Sequence, residues 1–448
     1  MSLSSIYKER YFAVQILVGC LLLLLSLGGC KAPSKVSGYT SLKGFFKDPS
    51  FFENAFTGFV LYDPQTDKIL FNQHGDKYFT PASNTKIFTL YTAMKVLGDS
   101  MPSLRFLEKE DTVFFWPMAD PTWLHPDFPG GHRATGFLDS WDKHLSICLL
   151  PTVTPRFGPG WAWDDYRFSY QVERTSMPLY ANRVWISYDS LTRQVNITPG
   201  SLDFRFFWDA QETKVTRGPF SNDFVLSIGK GTPSFSRTFP LHMTDDVAAD
   251  LLEKRLRSQQ LAMGQAYPLP ENGNTFYTES VDTVYRLFMQ QSDNFIAEQL
   301  LQVCAAMTFD TFDIDRMIEF AKDHFLGDLT DDPLWYDGSG LSRYNMFTPR
   351  TIIQLLTKLY REKPEDWLFS IFPAGGRSGT IVTWYSDQEP FVFAKTGTLR
   401  NNHCLSGYLK TDQGRTLIFS FMHNHYPGSS QGVKKSMDQV LRFIKKKF

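Results

Sequence analysis

Thr80-Pro81-Ala82-Ser83-Asn84-Thr85-Lys86-Ile87-Phe88-Thr89-Leu90-Tyr91 decides the reading of this chain. A serine and a lysine three positions apart lie on one face of a helix, one above the other. Ile87, Leu90, Tyr91, Met94 and Leu97 continue with the spacing of a buried helix face, and Gly98 is a suitable stop. Pro81 suits the approach to a helix, not its interior. The spacing therefore predicts a helix that starts near Ser83 and brings Ser83 and Lys86 within hydrogen-bond reach. An alcohol is a weak nucleophile at neutral pH and needs a base beside it. An amine serves as that base when burial lowers its pKa, and the apolar run behind Lys86 supplies burial. Amides at a helix start also favour an oxyanion. Alone, the pattern is too short to be specific: it reads more readily as a helix cap and a surface lysine.

Two later stretches change that. Ser292-Asp293-Asn294 falls between two expected helices, where a tight connection presents side chains into a cleft. Ser292 can pass a proton to a leaving amine, and the Asn294 amide can orient Lys86 and hold a substrate carbonyl. Lys395-Thr396-Gly397-Thr398 ends an apolar strand. Lys395 would place a fixed positive charge in the cleft, and Gly397 would let substrate backbone lie against the strand edge. The hydroxyls of Thr396 and Thr398 can bind a carboxylate. The amides of Thr398 and Ser83 can form the two halves of an oxyanion hole. Each stretch alone reads as a loop or strand end; the ordered set of three is specific.

The chain resembles the penicillin-binding D-alanyl-D-alanine carboxypeptidase/endopeptidase family, in the low-molecular-mass class that carries large insertions after its Ser-x-x-Lys helix. The resemblance extends to Ala119-Asp120-Pro121-Thr122, Trp161-Ala162-Trp163-Asp164-Asp165, Asp337-Gly338-Ser339-Gly340-Leu341-Ser342-Arg343 and Gly376-Arg377-Ser378-Gly379-Thr380. It implies an α/β (α+β) transpeptidase/β-lactamase-like catalytic domain, an antiparallel sheet flanked by helices, with a β-rich inserted part. It also implies acyl-enzyme hydrolysis of peptidoglycan stem peptides, at the terminal D-Ala or at D-Ala–diamino-acid cross-links, with β-lactams as covalent inhibitors on Ser83. Met118-Ala119 stands where the family usually has glycines. The Asp337–Arg343 stretch reads as glycine turns packed beside the cleft, and Asp120 as a structural cap.

Composition agrees with an enzyme of more than one core. The chain has 448 residues, 42% hydrophobic and 21% charged, with net charge −1, which points away from disorder and from nucleic acid. Aromatics reach 15%, including 40 Phe, as large cores would need. Lys8 and Arg10 precede an apolar run over 11–27, then Leu27-Gly28-Gly29-Cys30. That resembles a lipoprotein signal whose cleavage leaves Cys30 as a lipid-bearing N-terminus; a membrane-anchoring helix is the other reading. Either places the body outside the cytoplasm. Lys31 after Cys30 resembles the outer-membrane sorting default. The nine histidines and the remaining cysteines, Cys148, Cys304 and Cys404, show no metal-ligand spacing, so no metal or cofactor is expected. A Cys304–Cys404 bridge is open, buried thiols being the plainer reading.

The expected organisation is a signal peptide over 1–30, a tether over 31–44, a discontinuous catalytic domain over 45–100 and 264–448, and a β-rich insertion over 101–263. Strands are expected over 57–62, 68–72, 112–116, 166–172, 182–188, 194–198, 203–207, 224–228, 391–395, 404–409 and 416–423. Helices are expected over 247–259, 280–291, 294–306, 313–324, 348–360 and 431–446. Two rival functions remain. A class A β-lactamase needs a glutamate with asparagine four positions on; Glu298, Glu319, Glu362, Glu365 and Glu389 lack it. A non-catalytic peptidoglycan-binding lipoprotein would not need the intact set of Ser83, Lys86, Ser292, Asn294 and Lys395.

Overall fold

The computed structural model describes residues 41–448, apart from 53–54, 258–260, 265–268 and 271–272. The signal segment, Cys30 and most of the expected tether lie outside the described residues. Leu42–Phe448 forms one compact unit.

Its backbone is a five-stranded sheet in the order Val392–Leu399, Asn402–Lys410, Thr416–Asn424, Phe56–Asp63, Lys68–Gln73. Every pairing in it is antiparallel, as expected. Segments near both ends of the described residues thus meet in one sheet: Phe59 pairs with Phe421, and their rings lie 4.4 Å apart. The middle strands are buried at nearly every position because both faces are covered. One face carries the C-terminal helix Ser430–Lys447 and the short helix Leu42–Lys47, joined through Phe45 and Phe443. Phe46, Phe59, Phe71 and Phe421 cluster on that side, where much of the phenylalanine content goes.

The other face carries the helices that position the site. Lys86–Val96 is buried all round over its first two turns, and Asn294–Phe309 is buried from Phe295 to Ala306. They pack on one another in the main core. A helix so enclosed is stabilised by about 1.5–3 kcal/mol for each large aliphatic or aromatic side chain removed from water. Val281–Gln291 and Pro349–Glu362 flank the pair.

Between Val96 and Val281 most of the regular structure is strand. A mixed sheet runs Leu261–Met263, His144–Ile147, Thr112–Pro117, Ser100–Lys109, Asn274–Ser280, and two three-stranded sheets lie beside it. A second core, around Trp123, Leu145, Ile186 and Leu226, fills this region. The strand Ser100–Lys109, with Pro102, Arg105, Glu108 and Lys109 breaking its apolar pattern, was not expected; nor were the helices Arg133–Leu138 and Glu365–Ile371. The strand expected over 166–172 is absent: a 3-10 turn spans Trp163–Arg167 and irregular chain follows. The Gln171 amide turns back to the Ala162 carbonyl at 2.8 Å, so the segment closes on itself instead of pairing in a sheet.

Candidate active site

Ser83 sits in a 3-10 turn, Ala82–Thr85, that runs straight into the helix Lys86–Val96. The tighter turn is a common helix start. Ala82 is held at φ +49°, a left-handed conformation that costs a residue with a Cβ about 1 kcal/mol or more. Three sets of contacts hold the turn in place. Asn84 donates to the Lys395 carbonyl at 2.8 Å and accepts from Ser406 Oγ at 2.7 Å, which ties the turn to the sheet. Gly340, at φ +82°, approaches so closely that a Cβ there would stand 2.0 Å from the Ala82 carbonyl oxygen. Gly397 does the same from the edge strand: a Cβ would meet the Pro81 oxygen at 2.4 Å and the Ser83 nitrogen at 3.0 Å. The sequence reading gave Gly397's open side to substrate; the structure gives it to the backbone of the Ser83 turn.

Lys86 is fully buried. Its Nζ lies 3.0 Å from Ser83 Oγ, 2.5 Å from Asn294 Oδ1 and 2.6 Å from the Ser339 carbonyl oxygen. Burial lowers its pKa to about 8, although the carboxylates of Asp337, Asp293 and Glu298 pull the other way. A lysine so placed is neutral for part of the time at neutral pH, as a base for Ser83 must be.

Ser292 terminates the helix Val281–Gln291 at φ +57°. Asp293 then caps Asn294–Phe309 by accepting from the Ile296 amide at 3.0 Å. This cap-to-cap junction aims Ser292 and Asn294 into one cleft. Lys395 Nζ donates to Ser292 Oγ at 2.7 Å and to the Thr396 carbonyl at 2.8 Å. Burial pushes the Lys395 pKa well down, and the Lys86 charge adds to the effect. A substrate carboxylate beside Lys395 would oppose both effects and favour its ammonium.

The edge strand is half covered. The Ala394 amide donates to the Pro373 carbonyl at 2.9 Å, and Gly375 donates to the Val392 carbonyl at 2.9 Å. Alternate residues of a strand point their backbone groups the same way, so the amides of Thr396 and Thr398 also face outward, beyond the end of that cover. Thr398 lines a cleft of about 900 Å³ together with Ser83, Ser292 and Asn294. Its far walls include Asp165 and Arg343. Thr396 Oγ1 is 2.7 Å from Thr380 Oγ1.

The sequence reading left out the contribution of the Asp337–Ser342 loop. Asp337 accepts from the Gly340 and Ser342 amides, the Asn345 side chain and Trp161 Nε1, and so folds the loop around itself. The fold points the Ser339 carbonyl at Lys86, while the Ser339 amide donates to Glu298 at 2.7 Å. A backbone carbonyl has no letter of its own; the paired glycines were the only signal. Cys304 and Cys404 are separate buried thiols. Asp120 is buried and accepts from Thr122 and Thr278, a structural part.

Residues 40–106 and 152–445 match the model of the D-Ala-D-Ala carboxypeptidase 3 (S13) family. The chain belongs to that family. This S13 enzyme is a serine-type D-Ala-D-Ala carboxypeptidase/endopeptidase that acts through an acyl-enzyme. It is 22% identical to the D-alanyl-D-alanine carboxypeptidase DacB of Haemophilus influenzae, over 87% of this chain and 90% of that one. It is 25% identical to a D-alanyl-D-alanine carboxypeptidase of Actinomadura, over 91% of this chain and 86% of that one. The crystal structure of penicillin binding protein 4 from Haemophilus influenzae superposes with a TM-score of 0.73 at 19% identity, covering 91% of this S13 chain and all of the other. At that identity the likeness speaks for the fold. The unmatched stretch, 107–151, lies in the β-rich region.

Proposed function

We propose that Ser83 attacks the carbonyl of the D-Ala–D-Ala bond of a peptidoglycan stem peptide, and that Lys86 takes its proton. The amides of Ser83 and Thr398 then receive the oxyanion. Collapse breaks the C–N bond, the amine leaves with a proton passed through Ser292, and the peptide stays as an ester on Ser83. Water, deprotonated by Lys86, releases it. Asn294 orients Lys86 and offers its amide to the substrate. Lys395, Thr396 and Thr398 hold the terminal carboxylate, whose charge favours the Lys395 ammonium. Gly397 keeps the edge strand against the nucleophile. β-Lactams present the same carbonyl and carboxylate and acylate Ser83.

The observation that carries this reading is the buried Lys86, with a pKa near 8, bonded at once to Ser83, Asn294 and the Ser339 carbonyl. The test is release of D-Ala from a stem pentapeptide by residues 38–448. Ser83→Ala should abolish it; D-Ala release at the wild-type rate by that variant would remove Ser83 from the mechanism.

The enzyme works in the cell envelope, on the periplasmic side, where its substrate lies. We place it there as a lipoprotein anchored through Cys30 in the outer membrane, on the strength of Leu27-Gly28-Gly29-Cys30 and the following Lys31. Metabolic labelling with an alkynyl fatty acid should tag the full chain and not Cys30→Ser. An untagged wild-type chain would end the lipoprotein reading.

A further inference from the structure

A buried histidine lies next to the carboxylate end of the cleft, and the mechanism above leaves it unused. His403 stands directly opposite Thr398 in the register of the edge strand and its neighbour, so the two side chains share a face of the sheet. His403 Nδ1 is 2.8 Å from Thr398 Oγ1. Its Nε2 is buried and has no hydrogen-bond partner among the described residues. His423, opposite His403 on the next strand, repeats the arrangement, with Nδ1 2.8 Å from Thr57 Oγ1 and Nε2 unpartnered. Burial and then the Lys434 charge push His403 down to about 3, so the ring is neutral at any working pH.

A neutral imidazole has one N–H, and its place has consequences. With the proton on Nε2, a buried donor is left without a partner. Nδ1 then takes the Thr398 hydroxyl proton, and that hydroxyl has none left for a substrate carboxylate. With the proton on Nδ1, the donor is satisfied and only a lone pair is left over at Nε2. Thr398 Oγ1 then accepts from the ring, and its own proton is free to turn into the cleft. Buried donors without partners are the rarer defect. We infer that His403 is a positioning residue for substrate selection: its Nδ1–H donates to Thr398 Oγ1 and reserves the Thr398 hydroxyl proton for the terminal carboxylate. This rests on the reading of Thr398 as a carboxylate ligand.

The readout is the ratio of kcat/KM for a stem pentapeptide with a free C-terminal carboxylate to that for its C-terminal carboxamide. The wild-type enzyme should prefer the free acid. His403→Leu should lower that preference about tenfold, the scale of one hydrogen bond to a charged group. His403→Asn, whose amide can donate from near the Nδ1 position, should keep the preference. His403→Gln, which reaches the Nε2 position instead, should lose it, and that pair carries the test should the leucine variant not fold. Thr398→Val should match His403→Leu, and adding His403→Leu to it should change nothing more. A merely structural histidine would slow both substrates alike. An unchanged ratio in a folded His403→Leu or His403→Gln variant overturns the inference. So does a raised ratio, which would mean that the ring had been taking the Thr398 proton. A wild-type enzyme indifferent to the carboxylate would instead refute the carboxylate reading of Thr398, and the inference with it.

Discussion

On the proposed mechanism Lys86 accepts a proton from Ser83 in a site that also holds carboxylates, and burial is what lowers its pKa. With a pKa near 8, about one lysine in ten is neutral at pH 7. Only the neutral form is a base, so acylation should fall about tenfold per pH unit below 8 and level off above it. The acylation rate with a β-lactam, followed from about pH 6 to pH 9, should show that rising limb. A flat profile, or a rate still rising about tenfold per unit at pH 9 as the ordinary lysine value of 10.5 would give, would contradict a Lys86 base tuned to about 8. Ser292 offers a second separation of roles. It sits at φ +57°, where glycine is at ease. Ser292→Gly should therefore keep stability within about 1 kcal/mol by denaturant midpoint, while D-Ala release falls about a hundredfold or more. A variant that turns over normally would remove Ser292 from the proton path. At this scale the sequence was legible where chemistry resides in side chains: Ser83, Lys86, Ser292, Asn294 and Lys395 come together as read. It was silent on the Ser339 carbonyl, misread which backbone Gly397 approaches, and could not show that Lys395 is fully buried.

Between elements, the β-rich region and the catalytic helices are locked by side chains from the segment that failed to become a strand or from chain close to it. Trp161 reaches Asp337 at 2.8 Å, Arg183 reaches Asp293 at 2.9 Å, and the Tyr170 carbonyl accepts from Asn294 at 2.8 Å. Arg174 donates to Glu298 at 2.8 Å, with both side chains only 3% exposed. Glu298 in turn holds the Ser339 amide. Removing one charge of a buried pair strands the other, at about 3–5 kcal/mol. Glu298→Gln should cost that much by chemical denaturation, and Arg174→Met added to it should recover most of the loss. Additive losses would show that the pair is not the joint. The helices that build the site were legible from their period, within a few residues at each end, whereas the helix expected over 247–259 ends at Glu253. The 166–172 segment was not, because its alternating apolar letters serve the cleft wall and long-range contacts rather than a sheet neighbour.

Leu42–Phe448 is organised by a sheet drawn from segments near both its ends and a site built where an edge strand of that sheet meets two buried helices. The strands at 57–62, 68–72, 404–409 and 416–423 were readable because their apolar runs are bounded by turns. How they pair was readable only through the family resemblance, since nothing local to residue 59 names residue 421. The β-rich region was legible as a class but not as sheets: Ser100–Lys109 pairs with Asn274–Ser280, far along the chain. The central claim is that this assembly exists to make Ser83 a nucleophile. Its most direct test is the intact mass of residues 38–448 after mixing with benzylpenicillin, followed by peptide mapping. One benzylpenicilloyl group on Ser83, absent from Ser83→Ala, is the predicted result. An adduct on another residue, or rapid turnover of the drug without a lasting adduct, would contradict the account.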